Sequence, residues 1–376
     1  MFNSYKKFIK GLCALAVLSL GTIGSANAQL GDAGAILRAG AADANILLEN
    51  YLAPFGKGFG ADLNTGWFNT AKTHQTLGFD VNLTVSAAVV PTAGQVIDIN
   101  SLTPQFDQLE LTGGSSETPT ISGNSDTDTR LGVYWNDPRT ASPQDVLFDF
   151  GMVGGTGVPY VPAPMVQATI GVIKDTDVSL RFIPETEISA MDGSVGLFGF
   201  GLKHGINQWL PGGRLLPVDL SVQFGYTSFA SNSGFEVYPT ENSDTYNEFD
   251  LSVWEGQGLE LETSATTFNV IAGKTLPFIS LYGGVGLEGS TTTIKTPGSF
   301  PYTAPNENYD PVSTNPEHRI KVIEKIDSPI DINIDGDNSF RAFAGTRIKL
   351  AVFQISASYT LANYSSFNVG FGITFR

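Results

Sequence analysis

The sequence predicts an all-β chain: a transmembrane antiparallel β-barrel of about 10–14 strands with a short N-terminal helical plug or cap. Three observations carry that expectation. The chain ends on an unbroken alternation of apolar and polar residues, it begins with an export signal, and no apolar run is long enough for a membrane helix.

The terminal alternation is the strongest of the three. Phe367, Val369, Phe371, Ile373 and Phe375 alternate with Asn368, Gly370, Gly372, Thr374 and Arg376. Successive strand side chains point to opposite faces, so this segment has one apolar face and one polar or small face. Phe353, Ile355, Ala357, Tyr359 and Leu361 repeat the pattern against Gln354, Ser356, Ser358 and Thr360. A chain that closes on such a strand, with an aromatic near its end, has the signature of a bacterial outer-membrane barrel.

Residues 1–28 read as a signal peptide. Lys6, Lys7 and Lys10 form a basic start, an apolar run follows from Leu12 to Leu20, and Ala26-Asn27-Ala28 is a small-residue cleavage site. The single cysteine, Cys13, lies inside it, so the mature chain is expected to have neither disulfide nor thiolate chemistry. Removing those three lysines leaves 18 of the 21 Lys and Arg against 37 Asp and Glu. That acidic balance argues against nucleic acid and anionic membrane surfaces as partners. With no membrane helix available, a closed barrel is the remaining way to cross lipid with every backbone group paired.

Residues 29–76 form the predicted plug or cap. Asp32 can cap a helix in which Ala33, Ile36, Leu37, Ala44, Leu47, Leu48, Tyr51 and Leu52 recur at helical spacing, and Pro54 is expected to end it. Phe55-Gly-Lys-Gly-Phe-Gly60 then reads as a flexible loop, followed by Asn64-Thr-Gly-Trp-Phe-Asn-Thr-Ala71. Whether the helix enters the lumen or covers the lower end of the barrel is open at this stage.

The run Asn45-Ile-Leu-Leu-Glu-Asn-Tyr-Leu-Ala-Pro54, then Gly66-Trp-Phe-Asn-Thr-Ala71 and His74, resembles an uncharacterised family of Bacteroidota outer-membrane proteins, a domain of unknown function. Gly205-Ile-Asn-Gln-Trp-Leu-Pro-Gly212 and the last two strands fit the same resemblance. That family is loosely similar to the long-chain fatty acid transporters, which place an N-terminal segment inside the barrel. The resemblance implies a fold and a location, and no activity.

Residues 77–376 form the predicted barrel. Alternating segments run from Leu77 to Val89, Val166 to Ile173, Val178 to Phe182, Phe198 to Lys203, Val218 to Ser228, Phe268 to Gly273, Ile279 to Leu287 and Phe340 to Ile348, before the terminal pair. These make roughly ten strands, an even number, and the stretch from Pro91 to Pro164 could add one or two hairpins. Short connections around Asp175, Trp209, Thr275 and Leu350 alternate with mostly long ones. Short turns belong in the periplasm and long loops outside.

No residue set points to catalysis or to a cofactor. The histidines, at 74, 204 and 318, lie far apart in sequence, and no Gly-x-Ser-x-Gly or zinc spacing occurs. Asp331-Ile-Asn-Ile-Asp-Gly336 opens like a calcium loop, but position twelve is Ala342, so an acidic hairpin tip is the expected form. The loop from Phe235 to Glu262 carries many carboxylates and no Lys or Arg, which suits a solvated surface or cation bridging to lipopolysaccharide. Register assigns Asp80, Arg181, Lys203, Asp219, Arg341 and Arg347 to the lumen, because a charge facing lipid costs about 2–4 kcal/mol at mid-membrane. Phe148, Phe150, Met152 and Tyr160 are the candidate apolar ligand contacts at the outer mouth.

The expectation is a monomeric outer-membrane barrel, not an enzyme, binding no cofactor or metal. Its partners would be outer-membrane lipids, lipopolysaccharide and a small apolar solute. The expected task is passive passage or capture of small, partly apolar molecules. The alternative is a non-transporting surface scaffold or an accessory subunit of a secretion or assembly machine.

Overall fold

The computed structural model describes residues 36, 41–135, 145–189, 192–234, 236–239 and 242–375. The first long element is a helix, α1 (Ala41–Leu63), followed by β1 (Phe79–Val89). Five short strands come next: β2 (Val96–Asp98), β3 (Leu109–Gly113), β4 (Glu117–Pro119), β5 (Arg130–Trp135) and β6 (Asp145–Gly151). Four long ones follow, β7 (Tyr160–Gly171), β8 (Thr176–Ile188), β9 (Gly193–Gly205) and β10 (Asp219–Gly234). After β11 (Thr245–Tyr246) stand β12 (Gly258–Thr275) and β13 (Ile279–Lys295). The chain ends with β14 (Ser299–Pro305), β15 (Lys321–Asp327), β16 (Asp331–Asp335), β17 (Phe340–Leu350), β18 (Phe353–Leu361) and β19 (Ser366–Phe375).

Ten of these strands close a ring in the order β12-β10-β9-β8-β7-β1-β19-β18-β17-β13, and pairing of β12 with β13 completes it. The ten correspond to the ten alternating segments of the sequence. The hairpins between Pro91 and Pro164 stay out of the ring, so the wall does not reach 12 or 14 strands. Their strands pair among themselves as β2–β4 and β3–β5–β6, and β11, β15 and β14 form a third small sheet. β16 adds to β13 above the ring, from Thr291↔Asp335 to Lys295↔Asp331. The Asp331–Asp335 stretch is thus a strand.

The wall is polar inside and apolar outside, the reverse of a soluble barrel. Along β19, Phe367, Phe371 and Phe375 are exposed while Ser366, Asn368 and Thr374 are buried. β1 repeats this, with Phe79 stacked 5.0 Å from Phe375 on the outer face. Such an outward apolar band is what lipid requires. β12 and β13 run past the sequence-stated limits, starting at Gly258 and ending at Lys295. Beyond the band both faces are polar, as in Glu288-Gly-Ser-Thr-Thr-Thr293, so the alternation that signals a strand disappears there.

The helix corrects the sequence reading in two places. It does not stop at Pro54, and Phe55–Gly60 is not a loop: α1 runs through both to Leu63. The expected cap Asp32, with Ala33 and Leu37, lies outside the described residues. An interior proline costs roughly 3 kcal/mol, and packing on two sides offsets it. The glycines show how. A Cβ on Gly58 would lie 2.8 Å from Val161 Cγ2 on β7, and one on Gly60 would lie 2.1 Å from Ser290 Oγ on β13. One on Gly56 would meet Ile334 and Thr292 at 3.1–3.2 Å. At about 100° per residue, Gly56 and Gly60 share one face and Gly58 takes the opposite one. The helix is pinched between opposite walls where only glycine leaves room.

That contact is testable by exchange. Gly60→Ala should overpack against Ser290 and lower stability by about 1–3 kcal/mol. Adding Ser290→Gly should restore it. Heat-modifiability of the detergent-solubilised barrel on gels reads both variants, and an undisturbed Gly60→Ala protein would contradict the pinch.

Candidate functional site: the filled lumen

One continuous segment, from Ala41 to Gly78, fills the barrel from its long-loop end to its short-turn end. Its first half packs in the cap. Ala44, Leu47, Leu48 and Tyr51 share a buried apolar core with Ile99, Leu109, Leu131 and Ile332 from the small sheets and loops. The Asp43 carboxylate accepts the backbone N–H groups of Asp107, Gln108 and Leu109 at 2.7–3.0 Å. Three backbone donors are the arrangement that satisfies a buried carboxylate without a cation.

Below the cap the surroundings remain apolar for about two helical turns. Phe59 lies edge-on to Phe229 of β10, with centroids 4.9 Å apart, among Val161, Met165 and Leu197. Then the helix ends, and the last carbonyls have no helical partner. Arg181 of β8 supplies one. Its Nη1 donates to Leu63 O at 2.8 Å, Nη2 to Thr65 O at 2.5 Å, and Nε to Gln167 Oε1 at 3.0 Å. The guanidinium also lies over the Trp67 ring, 3.7 Å from its centroid. A cation at a helix C-terminus is favoured by the helix dipole, and one over an indole by the ring quadrupole.

Lower in the lumen the segment runs through bends and turns, and every few residues meet a different strand. Thr65 Oγ1 bonds Ser86 Oγ on β1 at 2.5 Å. Trp67 fits against Gly201 of β9 and Gly225 of β10, where added Cβ atoms would lie 2.7 and 2.5 Å from its ring. Phe68 packs on Phe343 of β17 at 5.1 Å. Asn69 Oδ1 accepts from Arg347 Nη1 at 3.2 Å. On the wall itself, buried Arg341 pairs with Glu288 at 2.8 Å and donates to Asn269 Oδ1 at 3.0 and 2.8 Å.

At the short-turn end the chain is fastened by charge. His74 Nδ1 lies 3.2 Å from Asp177 Oδ2 and Nε2 lies 3.3 Å from Asp80 Oδ2. Lys203 Nζ reaches Asp177 at 3.0 Å and donates to Thr70 O and Lys72 O at 3.3 and 3.1 Å. Burial disfavours the imidazolium, but hydrogen bonds to Asp177 and Asp80 outweigh it and raise the His74 pKa above the ordinary 6.5. Trp67, Phe68, His74 and Lys203 leave between them a cavity of about 20 Å³, room for about one water. Among the described residues no group of three or more His, Cys, Asp or Glu is arranged to hold a metal ion.

The sequence-assigned lumen charges fall as follows. Asp80, Arg181, Lys203, Arg341 and Arg347 are buried inside, and Asp219 sits half-exposed on the inward parity of β10 at the rim. Their main counterparts were missed. Asp177 reads as part of a turn but is the first inward residue of β8, and Glu288 follows outward Leu287 by one position. Strand parity alone would have found both.

The four candidate ligand contacts are not brought together. Phe150 and Met152 are buried in the cap core with Phe148 packed against it, the two phenylalanine rings 6.1 Å apart. Tyr160 is half-exposed on the outer face of β7, because the odd residues of that strand point inward. In the acidic loop, Asp244 is paired with Lys321 of β15 at 3.3 Å. Phe235 and Glu241 lie outside the described residues.

Comparison with known proteins adds a family and distant folds. The model described as a family of unknown function, DUF6588, matches residues 5–375. No curated protein matches. Among solved structures, the attachment invasion locus protein Ail of Yersinia pestis is similar at 10% identity, over 80% of this chain and 100% of that one, with TM-score 0.21. The translocator domain of autotransporter NalP from Neisseria meningitidis gives 9%, 81%, 90% and 0.26. The Pseudomonas putida toluene transporter TodX gives 7%, 79%, 89% and 0.24.

Two predictions follow from this geometry. Arg181→Met leaves Thr65 O without its guanidinium donor and Leu63 O with Thr227 Oγ1 alone, and should cost about 1–3 kcal/mol, read as a lower thermal midpoint by circular dichroism in detergent. Arg181→Lys, unable to fork or stack, should recover only part of the loss. The second concerns pH. Because the folded-state pKa of His74 is raised, its contribution is present below about 6.5 and is lost as pH climbs through the raised value. The wild-type midpoint should therefore fall relative to His74→Gln over that range; parallel profiles would remove His74 from the fastening.

Proposed function

Because the chain belongs to the DUF6588 family of unknown function, we propose its task from its own geometry: an outer-membrane β-barrel, shut by its own N-terminal segment, that anchors a packed cap on the cell surface. One observation carries this reading. The segment from Ala41 to Gly78 is held to strands on every side of the lumen, by Arg181, Lys203 and Arg347 and by glycine contacts on both walls. A solute crossing the lumen would have to displace that segment against all of these at once.

The orientation follows from connection length, with short turns in the periplasm and the cap outside. The export signal that the sequence predicts at residues 1–28 supports that address. The cap is a built structure rather than a set of loose loops, since its small sheets share one apolar core with the first half of α1. Such a surface suits recognition of a partner or of lipopolysaccharide better than open passage.

Capture of small, partly apolar molecules stands as the second reading. It is favoured by the apolar layer around Phe59, Met165 and Phe229, which a purely structural polar lumen would not need.

Planar bilayers separate the two. The full chain should show no stable open channel, and removing residues 29–76 should produce one, with conductance higher by at least tenfold. Stable conductance by the intact protein would overturn the closed-anchor reading. Protease-resistant antibody access to a tag in the cap of whole cells tests its exposure.

A further inference from the structure

The barrel wall is not paired along its whole height. β7 pairs with β1 from Ile170↔Phe79 up to Tyr160↔Val89, and β8 pairs with β9 up to Ile188↔Gly193 with a register shift between Ile183 and Thr186, where Pro184 lies. Between β7 and β8 the ladder runs only from Gly171↔Asp177 to Gln167↔Arg181. Above Arg181 the two neighbouring strands form a seam.

The sequence causes it. Gly171 exchanges hydrogen bonds with Leu77 and Gly78 on the β1 side, so odd residues of β7 turn their backbone to β1 and even ones to β8. On β8 the Thr176 carbonyl accepts from Val172 N–H, so its even residues turn to β7. Pro162, Pro164 and Pro184 are all even. Each lacks the N–H that a continued ladder would use.

The seam also lies at a telling depth. Pro162 aligns with Ala87 and, through it, with Phe367, in the long-loop half of the outward apolar band. Exposed Tyr160 and Phe182 flank it on the outside. On the inside, Met165, Ile183, Leu197 and Phe59 form an apolar layer bounded below by Arg181. An unpaired wall at that depth faces hydrocarbon, and unpaired backbone donors in hydrocarbon are costly; the prolines remove three of them.

We propose that the seam between β7 and β8 is a lipid-binding portal, in which the acyl chain of an outer-leaflet lipid slots past Pro164 and Pro184 onto Met165, Ile183 and Phe59. The site needs no opening of the polar lower lumen. It stands independently of whether the barrel conducts, so the bilayer recordings and the following test fail separately.

The test reconstitutes the full chain in nanodiscs containing a phospholipid with a diazirine at the acyl terminus, with adducts mapped by mass spectrometry after irradiation. Adducts are expected on the inward residues Met165, Ile183 or Phe59 as well as on outward Phe371. Pro162→Thr/Pro164→Thr/Pro184→Thr, which restores the donors, should cut the inward adducts at least fivefold and leave Phe371 labelling unchanged. Ala163→Phe, which fills the layer behind the seam, should do the same and serves if the triple variant does not give heat-modifiable barrel. Inward residues left unlabelled in the wild type, or labelled equally in the folded variants, would overturn the portal. So would labelling by a water-borne photoreactive fatty acid with none from the phospholipid.

Discussion

The contact between Arg181 and the end of α1 is the joint on which the rest of the structure turns. A guanidinium with no exposure inside a barrel is expensive unless every donor is used. Here its hydrogen-bond partners are two plug carbonyls, a side-chain amide, a hydroxyl and a thioether, with an indole face beneath. The helix needs the cation because its terminal carbonyls are orphaned; the cation needs the helix because the wall alone cannot satisfy it. Each half supplies the partner that the other lacks. This mutual requirement fixes where the helix stops and where the irregular run below begins.

Space imposes the second constraint. A barrel of about eight strands is filled by its own side chains, and ten strands add little more room. A full helix with ordinary side chains would not fit. The chain solves this by trading bulk across the interface. Gly56, Gly58 and Gly60 sit where the wall offers Ile334, Val161 and Ser290, while Gly201 and Gly225 recess the wall where the plug offers Trp67. The fit is reciprocal, which is why the segment runs as one piece rather than as a loosely held ball.

Much of this was legible in the sequence, and the failures have physical causes. The ten ring strands follow from alternation, because lipid outside and polar lumen inside impose it on every one. Arg181, Lys203, Arg341 and Arg347 lie buried on the inward parity of their strands. The helix end was misread because Pro54 and a glycine run are local breaking signals, and confinement by two walls, invisible in sequence, overrides them. Phe150 and Met152 look like a greasy mouth in sequence but are the core of a small domain. Between Pro91 and Pro164 the extended pieces near Leu109, Leu131 to Trp135 and Val146 to Phe150 are legible and form β3, β5 and β6, whereas β2 and β4, three residues each, are too short to carry a pattern.

The lumen divides by chemistry into levels, and the order of the levels limits what the protein can do. At the short-turn end Asp80, Asp177, His74 and Lys203 form a charged fastening, and above it the Arg341–Glu288 and Arg181 networks span the wall. Directional bonds of this kind hold one geometry and lose much when displaced. The level above is apolar, and its contacts depend on close fit rather than on direction. Directional bonds, together with the Phe68–Phe343 contact, therefore hold the lower lumen, and close apolar packing holds the level around Phe59. That level is also where β7 and β8 part. The chain has therefore placed the shortest ladder of its wall beside apolar packing, and its directional bonds between that region and the short-turn end.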